Sequence, residues 1–510
     1  MTNSRTTLTS AGMATFALLL ICGCQITTAV SATRTAAPQP SSTGSPAPPD
    51  VTPAEVPTPA PAPATEADAA QVIDLTTALA LTAGRSPEVA WAQARIEESR
   101  AKLSQADTLW LPSLRFGVNV NHHDGRIQDV AGSIIETSRS SLYGGFGAAA
   151  VGAGSPAVPG LQAQFRLTDA VFQPRIQRQA LSARTAAARA ASHDSLLATA
   201  LAWVRLQKAT QDKLLAETAL ADAAELERVT REFATAGQGL TSDYDRARTE
   251  SAFRRTELHR ASEAVSVASA NLARQVRWEY GRLLLPAEQT PCPLTLVDSS
   301  QTPRQLVATG LAHRPEIAES RHLVSEAVQQ LQREKWAPLI PSILLGVSYG
   351  GQSGGLGNDF VFPGDRFDAD AAAWWEIRQL GLGEQAARRE MQARITQTRM
   401  KQVALMDQIA REIVEASAQA TARLARIESS REAAAAATES WQKNSERIRN
   451  GQGLPLEVLQ SLQALHSARR DTVQAITDFN EAQFTLHRAL GWPIQAAALK
   501  EAPIAPATAP

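Results

Sequence analysis

The chain has 510 residues, of which 44% are hydrophobic and only 5% are aromatic, and its formal net charge is −1 at pH 7. The absence of a basic excess argues against a nucleic-acid-binding protein. The low aromatic content, with many alanines in the middle of the chain, favours close helix–helix packing over a bulky globular core. No catalytic triad, carboxylate pair or metal-ligand spacing stands out, so we expect no enzyme activity, no cofactor and no metal site.

The first 30 residues are typical of an export signal. An apolar run from Met13 to Ile21 is shorter than the roughly 20 residues that cross a bilayer. The run ends in Ile-Cys-Gly-Cys at residues 21–24, which resembles a bacterial lipobox. The sequence therefore predicts a lipoprotein signal peptide over residues 1–23 and a lipid on Cys24. An ordinary signal peptide, cleaved a few residues further on, is the alternative, and both interpretations export the protein.

A flexible tether is predicted after the signal. Residues 33–69 are rich in Pro, Ala, Ser and Thr, a composition that favours extended chain and does not build a packed core. We interpret residues 24–70 as a tether to the folded body and residues 496–510 as a flexible tail. Past residue 30, no apolar stretch is long enough for a membrane-spanning helix, which leaves membrane-spanning β-strands open.

The body contains an internal repeat. Residues 85–90 read Arg-Ser-Pro-Glu-Val-Ala, and residues 313–318 read His-Arg-Pro-Glu-Ile-Ala. Further on, Gly-Gln-Gly-Leu occurs at residues 237–240 and again at residues 451–454, and Leu272 and Arg274 match Leu486 and Arg488. The sequence therefore predicts repeat 1 over residues 71–300 and repeat 2 over residues 301–495.

Each repeat is predicted to begin with a helix and a pair of strands. Proline in the first turn, Pro87 or Pro315, starts the helix, which runs to about residue 110 or 337. Period-two alternation, which fits a strand with one lipid-facing and one wet side, follows each helix. The predicted strands lie at 113–122 and 161–168 and at about 343–349 and 367–376, with glycine-rich loops at 123–160 and 351–366.

A long helical hairpin completes each repeat. The predicted long helices cover residues 175–236 and 384–450, and the return helices cover about 242–277 and 456–490. A pre-strand helix and a return helix together have nearly the length of the long helix. We therefore expect these two helices to lie end to end along it, in coiled-coil packing.

Four membrane-type strands cannot close a sheet within one chain. Open strand edges in lipid leave backbone groups unpaired, which costs several kcal/mol for each group. The strands must then close across copies, with twelve strands from three chains or eight from two. The sequence alone does not choose between these.

Together these features resemble the outer-membrane efflux protein (TolC-like) family over residues 72–492. They include the signal, the repeated helix and Pro-Ser pair before a strand, the alanine-rich hairpins, the Gly-Gln-Gly-Leu tips, and the stretch Ala373-Trp374-Trp375 that leads into the second long helix. The resemblance implies a mainly α fold with a small transmembrane β part. Two repeats of strand pair plus helical hairpin would trimerise into a 12-stranded β-barrel continued by an α-helical barrel.

The function implied by this resemblance is a passive exit duct in tripartite efflux or type I secretion. The implied partners are two further copies of the chain, a periplasmic adaptor, an inner-membrane pump and the lipid of the outer membrane, with lipid anchoring in that membrane and a helical extension into the periplasm. The alternative is a lipid-anchored periplasmic coiled-coil scaffold without pore activity, although the strand alternation argues against it.

The hairpin tips are the candidate working residues that the resemblance implies. In the family the tips form the periplasmic aperture and meet the adaptor. The corresponding residues here are Gly237, Leu240, Thr241, Ser242, Gly451, Leu454, Pro455 and Leu456. A purely structural interpretation is that glycine ends each long helix and Pro455 begins the second return helix.

Acidic residues near the tips are candidates for a periplasmic constriction. Glu457 falls where the family often has the first of two constriction aspartates, but Gln460 stands at the second position, which weakens any ring of carboxylates. Asp243 follows the first tip, and it could pair with Arg447 or Arg449 in a closed state. Alternatively, it only complements the dipole at a helix start.

Other chemistry-bearing residues suggest no site. Adjacent side chains on a strand point in opposite directions, so His122, His123 and Asp124 make a poor metal chelate. Cys292 stands alone in the body and is expected to be an inert thiol. Trp110, Trp374 and Trp375 flank the predicted strands, as an interfacial aromatic belt would. Packing at the junction of barrel and helices is the alternative for Trp374 and Trp375.

Overall fold

The computed structural model describes residues 70–494, with gaps at 112, 115, 147–160, 238, 299, 357–361 and 451. The predicted signal peptide, Cys24, nearly all of the tether and the C-terminal tail lie outside the described residues and stay predictions. None of the described helices combines the length and the apolar character that a membrane span requires.

Eight α-helices in the described part follow the same order in both repeats. Repeat 1 has α1 (Leu75–Arg85), α2 (Pro87–Asp107), α3 (Leu167–Thr235) and α4 (Thr241–Val276). Repeat 2 has α5 (Pro303–His313), α6 (Pro315–Trp336), α7 (Leu382–Arg449) and α8 (Pro455–Ala489). The predicted long and return helices are confirmed, and most of their ends lie within two residues of the expected ones.

Two short helices, α1 and α5, were missing from the sequence prediction. The start of α5 is a capping box: Thr302 Oγ1 accepts a hydrogen bond from the Gln305 amide, and Gln305 Oε1 accepts one from the Thr302 amide at 2.9 Å. Pro303 occupies the first helical position, where its missing N–H is harmless. The Thr-Pro-Arg-Gln sequence at 302–305 carries this signal, so α5 was readable from the sequence.

The first long helix begins earlier than predicted. α3 starts at Leu167 rather than at residue 175, and it contains the buried Pro174. The prediction was wrong here because it took the proline-free stretch as the limit of the helix, whereas the proline lies within the first turns. The predicted strand at 161–168 accordingly ends at Arg166. With 69 residues, α3 is about 104 Å long.

The strands form an open sheet that is four strands wide. Two of its four positions are each occupied by two strands. The first position holds β2 (Ser113–Leu114) and β3 (Phe116–Gln128), and the second holds β4 (Ile134–Phe146) and β5 (Leu161–Arg166). β7 (Ser342–Leu356) and β8 (Phe362–Trp374) are the third and fourth. β4 and β5 share a position because both pair with β7, with Phe146 opposite Tyr349 and Leu161 opposite Val347. The predicted four strands are confirmed.

The loops predicted between these strands were too long. Residues 123–128 and 134–146 of the predicted loop 123–160 are strand, as are residues 351–356 and 362–366 of the predicted loop 351–366. The glycine and serine content of these segments hides the period-two pattern. Backbone hydrogen bonds nevertheless pair them, because ladder pairing does not depend on side-chain polarity. A separate two-stranded parallel sheet joins β1 (Gln71–Ile73) to β6 (Leu284–Pro286).

The pre-strand and return helices lie end to end along the long helix, as predicted. Near the middle of α3, Ser195 Oγ donates to Ser86 Oγ at the start of α2 (2.9 Å). Leu272 and Val276, at the end of α4, pack in the same core cluster as Leu206 of α3. α2 therefore packs along the half of α3 nearer the sheet, and α4 packs along the half nearer the tip.

The same arrangement recurs in repeat 2 and sets the order of the helices. Ile317 at the start of α6 and Leu486 near the end of α8 share a core with Ile413 of α7. Polar contacts join α3 to both α6 and α8, through Arg333 with Asp169 (2.7 Å) and Arg205 with Glu481 (2.7 Å). The lateral order is α2/α4, α3, α6/α8, α7, which follows the order of the four strand positions.

Candidate functional site

The hairpin tips are tight turns between the long and return helices. Gly237 has a φ of +69°, a left-handed conformation that glycine adopts without strain and that ends α3. At the second tip, the Gln452 amide donates to the Arg447 carbonyl at 2.9 Å, and Pro455 is the first residue of α8. The structural interpretation of Gly237 and Pro455 is therefore confirmed, and Gly451 lies outside the described residues.

Apolar side chains are exposed at both tips. Leu240 is 68% exposed and Leu454 is 63% exposed, and Leu456 in the first turn of α8 is also exposed. Thr241 and Ser242 are exposed at the start of α4. Burying large apolar side chains is favourable, so these leucines suit contact with a partner.

The two tips of one chain pack on each other. Leu226 of α3 and Ala247 of α4 share a small core with Ile448 of α7 and with Val458 and Leu462 of α8. Nearer the turns, Pro455 and Leu456 line a small cleft with Leu226 and Asp243. The tips of both repeats thus form one continuous surface.

The acidic residues at the tips pair locally. Glu457 Oε2 lies 3.2 Å from Arg447 Nη1, and Asp243 Oδ1 lies 3.2 Å from Arg246 Nη1. Asp243 therefore pairs with its own helix rather than with Arg447 or Arg449. Gln460 is exposed, and among the described residues no hydrogen bond or ion pair joins Glu457, Gln460 and Asp243 to one another. Their predicted role at a constriction stays a prediction.

A buried ionic network occupies the junction of the repeats, and sequence reasoning missed it. Arg488 of α8 is 6% exposed, and its Nη2 lies 2.6 Å from Asp194 Oδ1 and 2.7 Å from Glu316 Oε1. Arg314 contacts both Glu316 (3.0 Å) and Glu412. The network joins α3, α6, α7 and α8 at the point where the helices meet end to end.

The network holds charged groups in a largely buried place. Burial opposes ionisation of Glu316, but the hydrogen bond and charge of Arg488 outweigh it, so the pKa of Glu316 is lowered. Burial also opposes the charge on Arg488, yet Glu316 and Asp194 together raise its pKa. Burial lowers the pKa of His193, as does the nearby Arg488, and burial lowers the pKa of His487.

These shifts predict a loss of stability in mild acid. A folded-state pKa below the ordinary histidine value of 6.5 means that the unfolded chain binds protons first as the pH falls. We expect the free energy of unfolding to decrease between pH 7 and pH 5, before Glu316 begins to protonate. Unfolding by urea, followed by circular dichroism at each pH, measures this.

Matched variants test whether these two histidines cause the pH dependence of the free energy of unfolding. The double variant His193→Gln with His487→Gln should show a shallower pH dependence over this range. The exposed His259 serves as the control, and His259→Gln should keep the original slope. An unchanged slope in the double variant would contradict the assignment.

The remaining candidates have ordinary surroundings. His122 Nδ1 lies 2.8 Å from Ser140 Oγ on the neighbouring strand, and the described residues contain no cluster of metal-ligating side chains. Cys292 is a free, exposed thiol. Trp110, Trp374 and Trp375 are exposed close to strand ends, as an aromatic belt requires.

Comparisons with known proteins agree with this architecture. Residues 306–492 match the family model described as outer membrane efflux protein. No curated protein matches the sequence.

Solved structures share the fold over most of the chain. A membrane protein from Pseudomonas aeruginosa is similar with a TM-score of 0.68 and 18% identity, covering 84% of this chain and 99% of that chain. The outer membrane protein VceC from Vibrio cholerae gives a TM-score of 0.64 and 18% identity, covering 82% and 96%. The open state of the MtrE outer membrane channel from Neisseria gonorrhoeae gives 0.62 and 16%, covering 85% and 94%.

Proposed function

We propose, because residues 306–492 match the outer membrane efflux protein family model, that the protein is one subunit of a trimeric outer-membrane channel. The channel is a passive exit duct for tripartite efflux or type I secretion. It docks to a periplasmic adaptor and an inner-membrane pump, and the lipid on Cys24 adds an anchor in the outer membrane.

The main support for this proposal is that the outermost strands and the outermost helices lie on the same two sides of the chain. In the sheet, the unpaired edges belong to β2/β3 at one side and β8 at the other. Among the helices, α2/α4 and α7 are the outer members. β3 follows α2 and β8 precedes α7, so one rotation between copies pairs both the strands and the helices. Such head-to-tail contacts generate rings when the rotation closes.

Exposed apolar side chains mark both helical sides. On α7, Met400 (58% exposed), Val403 (49%) and Met406 (38%) lie on one face. On α4, Phe253 is 66% exposed and Val267 is 54% exposed. In a ring these faces meet and bury each other, which removes apolar surface from water at both sides of every copy.

Ring closure also pairs the backbone groups of the two edge strands. An open edge in lipid leaves unpaired backbone groups, so pairing β8 with β2/β3 of the next copy removes that cost. Three copies supply twelve strands, which continue into a tube of helices. The family resemblance supports three copies over two.

The test combines conductance with oligomeric state. In planar bilayers the purified protein is expected to form pores, and in detergent it should migrate as a trimer. The variant Val403→Glu places a charge in the α7 contact, so it should lose most of the trimer and the conductance. The control Gln397→Glu adds the same charge to the same helix at an exposed position about 120° away around the axis, and it should keep both.

The outcome also separates the proposal from its alternative. A monomeric protein without pores would overturn the channel and favour a lipid-anchored periplasmic scaffold. Trimers with pores in Gln397→Glu but not in Val403→Glu support ring closure through α7.

The exposed tip leucines support a role in docking the adaptor. We expect the double variant Leu240→Ala with Leu454→Ala to reduce efflux severalfold in a complemented strain while trimers stay intact, because the apolar contact with the adaptor is lost. The control Leu214→Ala removes an exposed leucine of α3 away from the tips and should leave efflux unchanged. Normal efflux in the tip variant would count against this role.

We further propose that Glu457, Gln460 and Asp243 line the periplasmic constriction. Each copy then contributes two carboxylates, Glu457 screened by Arg447 and Asp243 screened by Arg246, and a neutral amide at Gln460. This composition supports only weak preference for cations over anions.

A further inference from the structure

A cleft at the junction of the repeats lies between α3 and the turn that joins α5 to α6. The cleft is open to solvent, and its cavity volume is about 240 Å³. Its floor includes Ala186 and Ile317, and its polar lining is basic: Arg189, His193, His313, Arg314 and Arg321. No carboxylate lines the cleft among the described residues.

Three guanidinium groups of the cleft have unused hydrogen-bonding capacity. Arg314 is 9% exposed, and its Nε is buried without a hydrogen-bond partner. Arg189 and Arg321 are exposed on α3 and α6, and neither forms an ion pair with another described residue. The guanidinium groups of Arg189 and Arg321 reach solvent, so their donors are available to an acceptor that enters the cleft.

The carboxylates of the buried ionic network are already engaged. Asp194 and Glu316 pair with Arg488, and Glu316 and Glu412 pair with Arg314. Three guanidinium groups (Arg189, Arg314 and Arg321) therefore line the cleft without a carboxylate in the same lining. The two arginines without a carboxylate partner are the ones on the open side of the cleft.

We propose that this cleft binds a small, multiply charged oxyanion of the phosphate class. Guanidinium groups donate in planar forks that match phosphate oxygens, and here they come from separate helices. A tetrahedral oxyanion accepts bonds from several directions, which suits this lining better than a flat carboxylate.

The position of the cleft favours a soluble anion over a lipid headgroup. Arg189 lies 22 residues beyond the start of α3 at Leu167, about 33 Å along the helix from the sheet. In the proposed ring, neighbouring copies meet at α2/α4 and α7, so the cleft stays accessible. Binding does not depend on the channel function and can be tested separately.

Isothermal titration calorimetry of the full-length protein in detergent, with inorganic pyrophosphate as the probe, tests the site. We expect saturable binding that orthophosphate competes with and that acetate at the same ionic strength does not. The double variant Arg189→Gln with Arg321→Gln should weaken the affinity at least tenfold.

The control is Arg231→Gln with Arg304→Gln, which removes two exposed charges from α3 and α5 outside the cleft and should bind like the original protein. Both pairs should keep the same far-ultraviolet circular dichroism and the same migration. No saturable heat, equal weakening by both pairs, or equal competition by acetate would each overturn the site.

Discussion

Replacing Arg488 with methionine is expected to lower the free energy of unfolding by about 3 kcal/mol, because removing one partner of a buried ion pair leaves an uncompensated charge. Arg488 is 6% exposed and contacts both Asp194 and Glu316. Only Arg314 would then remain to neutralise Glu316. Urea unfolding at pH 7.5, followed by circular dichroism in detergent, measures the change.

Two comparisons make this prediction specific. Arg411→Met breaks an exposed pair with Glu415 on α7 and should cost less than about 0.5 kcal/mol. In Arg488→Met, burial is no longer offset by that arginine, so the pKa of Glu316 rises and the loss should shrink as the pH falls and Glu316 protonates. A loss as small as that of Arg411→Met would show that the network contributes little.

Replacing Gly491 with alanine is expected to destabilise the fold by about 3 kcal/mol or more. Gly491 follows α8 with a φ of +83°, and an added Cβ would lie 2.7 Å from the His313 carbonyl carbon and 2.8 Å from the Arg314 nitrogen. Both atoms belong to backbone, so no side-chain rotation relieves the clash. The apparent melting temperature in detergent should fall clearly.

Gly281 supplies the matched control for this substitution. It also has a positive φ, +100°, but nothing lies within 4 Å of an added Cβ. Gly281→Ala therefore carries the conformational strain alone, about 1–2 kcal/mol. Similar losses in the two variants would mean that the contact between α8 and the α5–α6 turn is loose.

Both large effects occur at the same junction, where helices of the two repeats meet. The ionic network, Gly491 and the basic cleft all involve the turn at residues 313–315. Damage there should disturb the end-to-end packing of α6 and α8 along α7 and, through it, the proposed ring. The tips lie at the other ends of the hairpins, so variants at the tips and at the junction should differ in their effects on stability.

Local signals made the helices predictable. The ends of α4 and α8 were within one residue of the prediction because Gly237 ends the long helix before α4 and because Pro455 starts α8. The internal repeat made the second half predictable from the first. α5 was missed although its capping box was visible, so that error was one of interpretation.

Local sequence signals did not predict how distant segments pair. β4 is rich in Ser and Gly, and it is a strand because β3 and β7 lie on either side of it. The equivalent arginines of the two repeats show the same limit: Arg274 is exposed, whereas Arg488 is buried among carboxylates from α3 and α6. The Leu-x-Arg pattern that the two segments share does not distinguish them.

The sequence by itself determined the six longer helices, the four strand positions, the tips and the resemblance to a channel family, because periodicity, proline and glycine act within a few residues. The tertiary structure alone decided the lateral order of the helices, the buried ionic network and the basic cleft. Those features depend on side chains that are 98 to 294 residues apart in the chain, and their burial and charge balance exist only after the two repeats pack together.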